Sequence, residues 1–256
     1  MTRKKIPFLG LQFDNLSKKE ILDRIEQFIQ QKTPHKIFSP NVSLLIAARK
    51  NRFLKDVYDS CDLLPVDGMA IYYAMKIMGT PVKETAGTEL LFYPLLEISQ
   101  QKGYGVYMVG AKEGIVRKAV KELEAKYPGI RIVGWHHGYF DVANPPKELI
   151  HDIQETRPDI MLIAMTSPLK EKFVVSRMQD MNVPVTLGVG GMFDIAAGVV
   201  SFTPDWIRYL CLSWLYRLLQ EPRRLWKRYL TTNSAFLWLF FITFIKKRIL
   251  FVRTKR

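Results

Sequence analysis

Cysteine is scarce in this chain of 256 residues, with Cys61 and Cys211 its only two. Neither lies in a CxxC or a Cys/His cluster, which excludes a disulfide framework, argues against a zinc site and makes a reducing cytoplasmic setting the default. A run able to cross a bilayer is also lacking. Ser234–Ile245 (SAFLWLFFITFI) is uncharged for twelve residues, about 18 Å of helix against a hydrocarbon core of about 30 Å. The first twenty residues hold no apolar stretch of seven and no small-residue cleavage site, so no signal peptide is expected. Acidic residues nearly vanish from the end of the chain. Ile207–Arg256 carries 12 Lys/Arg against Glu221 alone, a net of +11 out of the chain's +14. The sequence therefore reads as a nearly neutral body, residues 1–206, followed by a basic amphipathic appendage, residues 207–256. A surplus that large predicts an anionic partner: phosphate, nucleic acid or lipid headgroup.

What is present in the body is an alternation of short apolar runs with amphipathic segments, the pattern of a parallel sheet covered by helices on both faces. Strands are expected at about Lys36–Ser39, Gly105–Val109, Ile130–Val133, Ile160–Ala164 and Val185–Val189. Helical periodicity covers Val42–Arg49, Gly68–Ile77, Glu89–Gln100, Lys112–Lys126, Lys147–Glu155 and Lys170–Met181. The segment WIRYLCLSWLYRLLQEPRRLWKRYL interleaves aromatics and leucines with Arg and Lys, which predicts a basic amphipathic helix broken before Pro222. The apolar run beyond it suits the headgroup boundary of a membrane; a packed helix pair or an oligomer interface is the alternative.

In an α/β sheet of this kind, chemistry belongs in the crevice at the carboxyl ends of the strands. Ser39-Pro40-Asn41 follows the first body strand and reads most simply as a helix cap. Asp67, in Val66-Asp67-Gly68, is either the cap of the next helix or a general base at the mouth of the crevice. Gly110 and Gly114 suggest a nucleotide-binding turn, but a full GxGxxG is missing. The next strand ends in Gly-Trp-His-His rather than an acid, so nicotinamide chemistry is disfavoured. Gly190 and Gly191 end a second glycine-rich strand whose backbone could approach a ligand or simply pack closely. No DxD, HExxH or GxSxG occurs, and the side chains of His136 and His137 would diverge, so neither a metal nor another cofactor is expected. A diphosphate would need protein cations. Arg217, Arg223, Arg224 and Lys227 lie within about three helical turns and could converge on one anion if the tail folds back; a solvated or lipid-facing basic face is the plainer reading.

Taken in order, several segments resemble the WecG/TagA/CpsF glycosyltransferases (glycosyltransferase family 26). They are Ser39-Pro40-Asn41, Val66-Asp67-Gly68, Gly87-Thr88, Tyr127-Pro128-Gly129-Ile130 with Gly134 and Gly138-Tyr139-Phe140, Pro158-Asp159, Ser167-Pro168-Leu169-Lys170-Glu171, Gly188 to Asp194 with Gly198, and Trp214-Leu215-Tyr216-Arg217 with Glu221-Pro222-Arg223-Arg224. The resemblance implies a Rossmann-like catalytic domain with a membrane-associating C-terminal appendage that helps complete the site. It further implies transfer of a sugar, with inversion and without metal, from a UDP-sugar to a polyprenyl-diphosphate-linked saccharide. That would place the protein peripherally on the cytoplasmic face of the plasma membrane, in cell-surface glycan synthesis. On this reading Asp67 takes the acceptor proton, Asn41 and Ser39 position sugar or acceptor, and Arg217 and Arg224 stabilise the leaving diphosphate. Gly110, Gly138, Tyr139, Lys170, Gly190, Gly191, Arg223 and Lys227 complete the expected substrate contacts.

Three positions depart from the family pattern. Lys170 stands where the family has Gln, Glu84 and Glu89 stand where Arg and Asp are usual, and Phe202-Thr203-Pro204 replaces Arg-Ala-Pro. These changes suit a different donor or acceptor, or a subunit that binds UDP-sugar and lipid without turnover. Nucleic-acid binding through the tail is a further alternative, disfavoured by the apolar run at 234–245. Exposed tail aromatics would also suit self-association, so the oligomeric state stays open.

Overall fold

The computed structural model describes residues 5–253; residues 1–4 of the segment read above for a signal peptide, and 254–256 of the basic appendage, lie outside it. It opens with an antiparallel hairpin that the sequence reading did not place, β1 (Lys5–Phe8) and β2 (Leu11–Asp14). Its two-residue turn, Leu9 and Gly10, takes positive φ at both positions, as tight hairpins require. α1 (Lys18–Gln31) follows, started by a reciprocal capping box: Ser17 Oγ accepts from the Glu20 amide while the Glu20 carboxylate accepts from the Ser17 amide.

The body is the expected α/β sandwich. β3 (His35–Ile37), β4 (Gly105–Gly110), β5 (Arg131–His136), β6 (Ile160–Ala164) and β7 (Val185–Gly188) form one parallel sheet in the order β3-β7-β6-β4-β5. Side-chain alternation divides the core into two layers. Val106, Met108, Ile160 and Leu162 pack with α1, α5 (Thr88–Lys102) and α6 (Glu113–Lys126) on one face. Tyr107, Val109, Met161 and Ile163 pack on the other with α2 (Val42–Lys50), α3 (Arg52–Asp59), α4 (Met69–Ile77), α7 (Lys147–Thr156) and α8 (Leu169–Met181). The chain thus leaves β4 toward one face and β6 toward the other, which opens a crevice between their carboxyl ends. Gly110 sits there at φ +142, and a Cβ on it would lie 2.4 Å from the Ala164 carbonyl oxygen, so that strand end closes only on glycine.

After α9 (Met192–Ala196) the C-terminal segment breaks twice rather than once. Cys211, at φ +61, separates α10 (Asp205–Tyr209) from α11 (Ser213–Gln220), and Glu221 separates α11 from α12 (Pro222–Arg253). α12 lies along α2, with Thr232 Oγ1 2.9 Å from Ser43 Oγ. The apolar run at 234–245 is therefore two-sided: Phe236 is buried in the body's core, while Leu237, Trp238 and Phe241 face outward. Among the described residues no helix is long and apolar enough to cross a membrane.

Candidate active site

Asp67 is held by two crossing sets of backbone hydrogen bonds. The segment before it is laid along the free edge of β3: the Asp62 amide donates to the Lys36 carbonyl, Leu63 bridges Ile37, and the Phe38 amide donates to the Leu63 carbonyl. From the hairpin, Asp14 clamps Leu64, accepting from its amide through Oδ2 at 2.7 Å while its own amide donates to the Leu64 carbonyl. Beyond that point the loop 85–87 takes over. Thr85 Oγ1 accepts from the Gly68 amide and donates to the Val66 carbonyl, and the Ala86 amide donates to the same carbonyl. The sequence left Asp67 as either a helix cap or a base, and the geometry removes the first choice. Gly68 occupies the cap position of α4, and no side chain caps that helix.

Around Asp67 the chain converges from four places. Gly87 packs so closely that a Cβ there would lie 1.8 Å from Asp67 Oδ1. Two residues on, in the first turn of α5, Glu89 Oε1 lies 3.4 Å from Nη1 of Arg217, which comes from α11. The Arg217 guanidinium rests on the turn after β7, where a Cβ on Gly191 would come within 2.6 Å of Nη2; Gly190 beside it, at φ +55, borders open space. Thr88 Oγ1 donates to the Gly188 carbonyl at 3.4 Å, joining the same corner to the end of β7. Asp67 is only partly exposed, and among the described residues its carboxylate accepts no hydrogen bond. Burial, reinforced by the negative charge of Glu89 and opposed by Arg217 and Lys170, pushes its pKa up to about 7. That value suits a group that must take a proton near neutral pH.

Lys170 is buried in this corner. Its ammonium bonds Ser167 Oγ and lies 2.8 Å from Glu171 Oε1, which also accepts from Ser167 at 2.7 Å and from the Tyr58 hydroxyl at 2.9 Å. The replacement of an amide by an ammonium is thus balanced by a fully buried carboxylate. Breaking either half would strand the other charge, at a cost of about 3–5 kcal/mol. Ser39 Oγ is buried without a hydrogen-bond partner among the described residues, which leaves a hydroxyl available just beyond β3. Asn41 caps α2 by accepting from the Leu44 amide, the role expected of it on local grounds, and is otherwise exposed.

A second ionic group adjoins the first. Arg224 grips Glu221 with Nε at 2.7 Å and with Nη2 on the other oxygen. Asp194, which the sequence did not single out, has its pKa raised by burial and by Glu221 and is drawn down by Arg224 and Arg217. Both arginines expected to meet a diphosphate are therefore present, each holding a carboxylate. Arg223 and Lys227 are exposed on α12, the latter with its ammonium 5.4 Å from the Trp226 ring centroid. Gly138 and the exposed Tyr139 belong to the loop after β5, at the opposite edge of the sheet from β3. Gly138 packs against Gly110 and Met165. Of the other departures, Glu84 accepts from the Lys18 amide at the start of α1, and the Phe202 ring meets Tyr93 edge-on, their centroids 6.2 Å apart. Among the described residues no three His, Cys, Asp or Glu side chains gather as a metal site.

The contact between Gly87 and Asp67 has a direct test. Gly87→Ala should force the carboxylate out of place and, since a displacement of about 1 Å can cost about 100-fold, reduce kcat by that order in a steady-state assay. Retention of full kcat would mean that the carboxylate works from another position.

The chain is also similar to known proteins. The sequence model of the Glycosyl transferase WecG/TagA/CpsF family matches residues 6–249. A Bacillus subtilis (strain 168) protein named N-acetylglucosaminyldiphosphoundecaprenol N-acetyl-beta-D-mannosaminyltransferase is 28% identical over 223 residues, 87% of this chain and 86% of that protein. Proteins of the same name are 29% identical over 195 residues in Bacillus spizizenii (76% of this chain, 74% of that one) and 24% identical over 247 residues in Staphylococcus aureus strain MW2 (96% and 94%).

Proposed function

The chain belongs to the WecG/TagA/CpsF glycosyltransferase family, and on that premise we propose that it moves a sugar from a UDP-sugar to a polyprenyl-diphosphate-linked saccharide in cell-surface glycan synthesis. The observation that carries this reading is Asp67: a sheltered carboxyl with no hydrogen-bond partner among the described residues and a pKa near 7, set beside an arginine from the C-terminal segment. Asp67 removes the proton from the acceptor hydroxyl as its oxygen attacks the anomeric carbon. The bond from that carbon to the diphosphate breaks on the opposite face, so configuration inverts, and UDP leaves with the electron pair. Arg217 and Arg224, turning from Glu89 and Glu221 to the diphosphate, meet the developing charge. Lys170 and Ser39 line the side of the crevice nearest β3 and suit the sugar. Outward-facing Trp206, Trp214, Trp226 and Trp238, among the lysines and arginines of the appendage, suit peripheral attachment to an anionic membrane face, where a polyprenyl acceptor resides.

The deciding experiment is release of UDP from a panel of UDP-sugars, with a polyprenyl-diphosphate-linked N-acetylglucosamine acceptor. Acceptor-dependent release from one donor, with kcat/KM rising with pH to a plateau above about 7, is the expected result, because only ionised Asp67 accepts a proton. Saturable UDP-sugar binding without release from any donor would overturn turnover and leave a binding subunit.

A further inference from the structure

Gly87, Thr88 and Glu89 are three consecutive residues that touch three different parts of the molecule: the base loop at Asp67, the end of β7 at Gly188, and the C-terminal segment at Arg217. The last contact is the one with reach. Glu89 and Arg217 are 128 positions apart, and their side chains are 25% and 16% exposed, so the pair is sheltered from water and from screening salt. Lys170 has its own partner in Glu171, and Arg224 has Glu221, which leaves Glu89 as the carboxylate that ties Arg217 to the body.

We propose that Glu89 is a positioning residue for the transfer reaction: it fixes Arg217 over the Gly190–Gly191 turn and so makes the protonation of Asp67 depend on whether the C-terminal segment is docked. The inference rests on Asp67 being the base, but it can be read without turnover. The charged groups that act on Asp67 are Glu89 from α5, Arg217 from α11 and Lys170 from α8. Glu89 opposes ionisation and the two cations favour it. Undocking α11 removes Arg217 from that balance and leaves Glu89 behind, so an undocked site holds Asp67 protonated and idle.

The test is the pH derivative of the difference in Tm between the full-length protein and its Asp67→Asn variant, whose fall to zero on the alkaline side has its midpoint at the Asp67 pKa of the folded protein. In an Arg217→Gln background the midpoint should rise by about one pH unit, and Glu89→Gln added to that background, where no arginine remains to be released, should lower it again by a similar amount. Trypsin cleavage within residues 208–224 should also be several-fold faster with Glu89→Gln. A midpoint unmoved by Glu89→Gln, or moved in the same direction by both substitutions, overturns the proposal, because a purely structural role lowers Tm alike at every pH. Should Glu89→Gln fail to fold, the Arg217→Gln arm decides, and an unmoved midpoint there overturns it equally. A protein that transfers no sugar yet shows the opposed shifts would separate failure of the proposed reaction from failure of the coupling.

Discussion

Asp67→Asn is expected to reduce kcat by about 10²- to 10⁴-fold, the range associated with loss of a positioned general base, and at the same time to make the protein harder to unfold. The sign follows from the raised pKa. In the folded state Asp67 keeps its proton up to about pH 7, whereas an ordinary aspartate releases it near 3.8. Between those values the folded chain binds the additional proton, so stability declines as pH rises through the window, and above pH 7 the full cost of a sheltered carboxylate is present. Asparagine carries no charge at any pH. The variant should therefore match the parent near pH 4 and exceed it above pH 7, by on the order of 2–4 kcal/mol. Thermal melts at pH 4 and pH 8, paired with a transfer assay at pH 8, check both halves. A variant that loses activity and is also less stable at pH 8 would mean that Asp67 is ionised and held by partners, contrary to its environment.

Arg217 is expected to show the second large effect. Arg217→Gln should lower kcat/KM by about 10²- to 10³-fold, since donors aimed at developing charge in a sheltered site contribute on that scale. Arg217→Lys should recover little, because a single ammonium cannot both rest flat on the Gly190–Gly191 turn and present two parallel N–H groups to a diphosphate. The exposed cations on α12 provide the contrast. Arg223→Gln and Lys227→Gln should each change kcat/KM only several-fold, with Arg224→Gln between the extremes because it adjoins Asp194 and Glu221. Steady-state kinetics with the donor varied, alongside calorimetric titration with UDP, orders the four. If Arg223 or Lys227 proves as important as Arg217, the C-terminal segment docks differently during catalysis.

The parallel sheet was legible because its strands are short apolar blocks bounded by Gly, Pro or Asp, and the ends of the five expected strands fall within three residues of those observed. The first hairpin was not, since Leu9-Gly10 lacks the Asn-Gly or Asp-Gly that usually marks such a turn. α1 did leave a signal, Ser17 followed three residues later by Glu20, which the sequence reading passed over. In the site, motif resemblance pointed to Asp67, Lys170 and Arg217, while Glu89 entered only as a departure from pattern and Asp194 only as the end of a motif. What makes those two residues consequential is a partner 128 positions away for Glu89 and the neighbouring charges of α11 and α12 for Asp194, and pairings of that kind have no local periodicity. The break at Cys211 was likewise hidden, because nothing in the identity of a cysteine requires positive φ.

The separation of Glu89 from Arg217 also fixes an order of events during synthesis. A chain made from its N-terminus can close the sheet, seat Gly87 against Asp67 and set the carboxyl in its pocket before α11 has left the ribosome. At that stage the proposed base exists and the proposed cation does not. On the proposed mechanism the nascent body cannot spend a nucleotide sugar until the segment that carries Arg217, and the outward-facing tryptophans beside it, arrives. On the proposed reading, competence and the means of reaching a membrane thus arrive together, with the C-terminal segment.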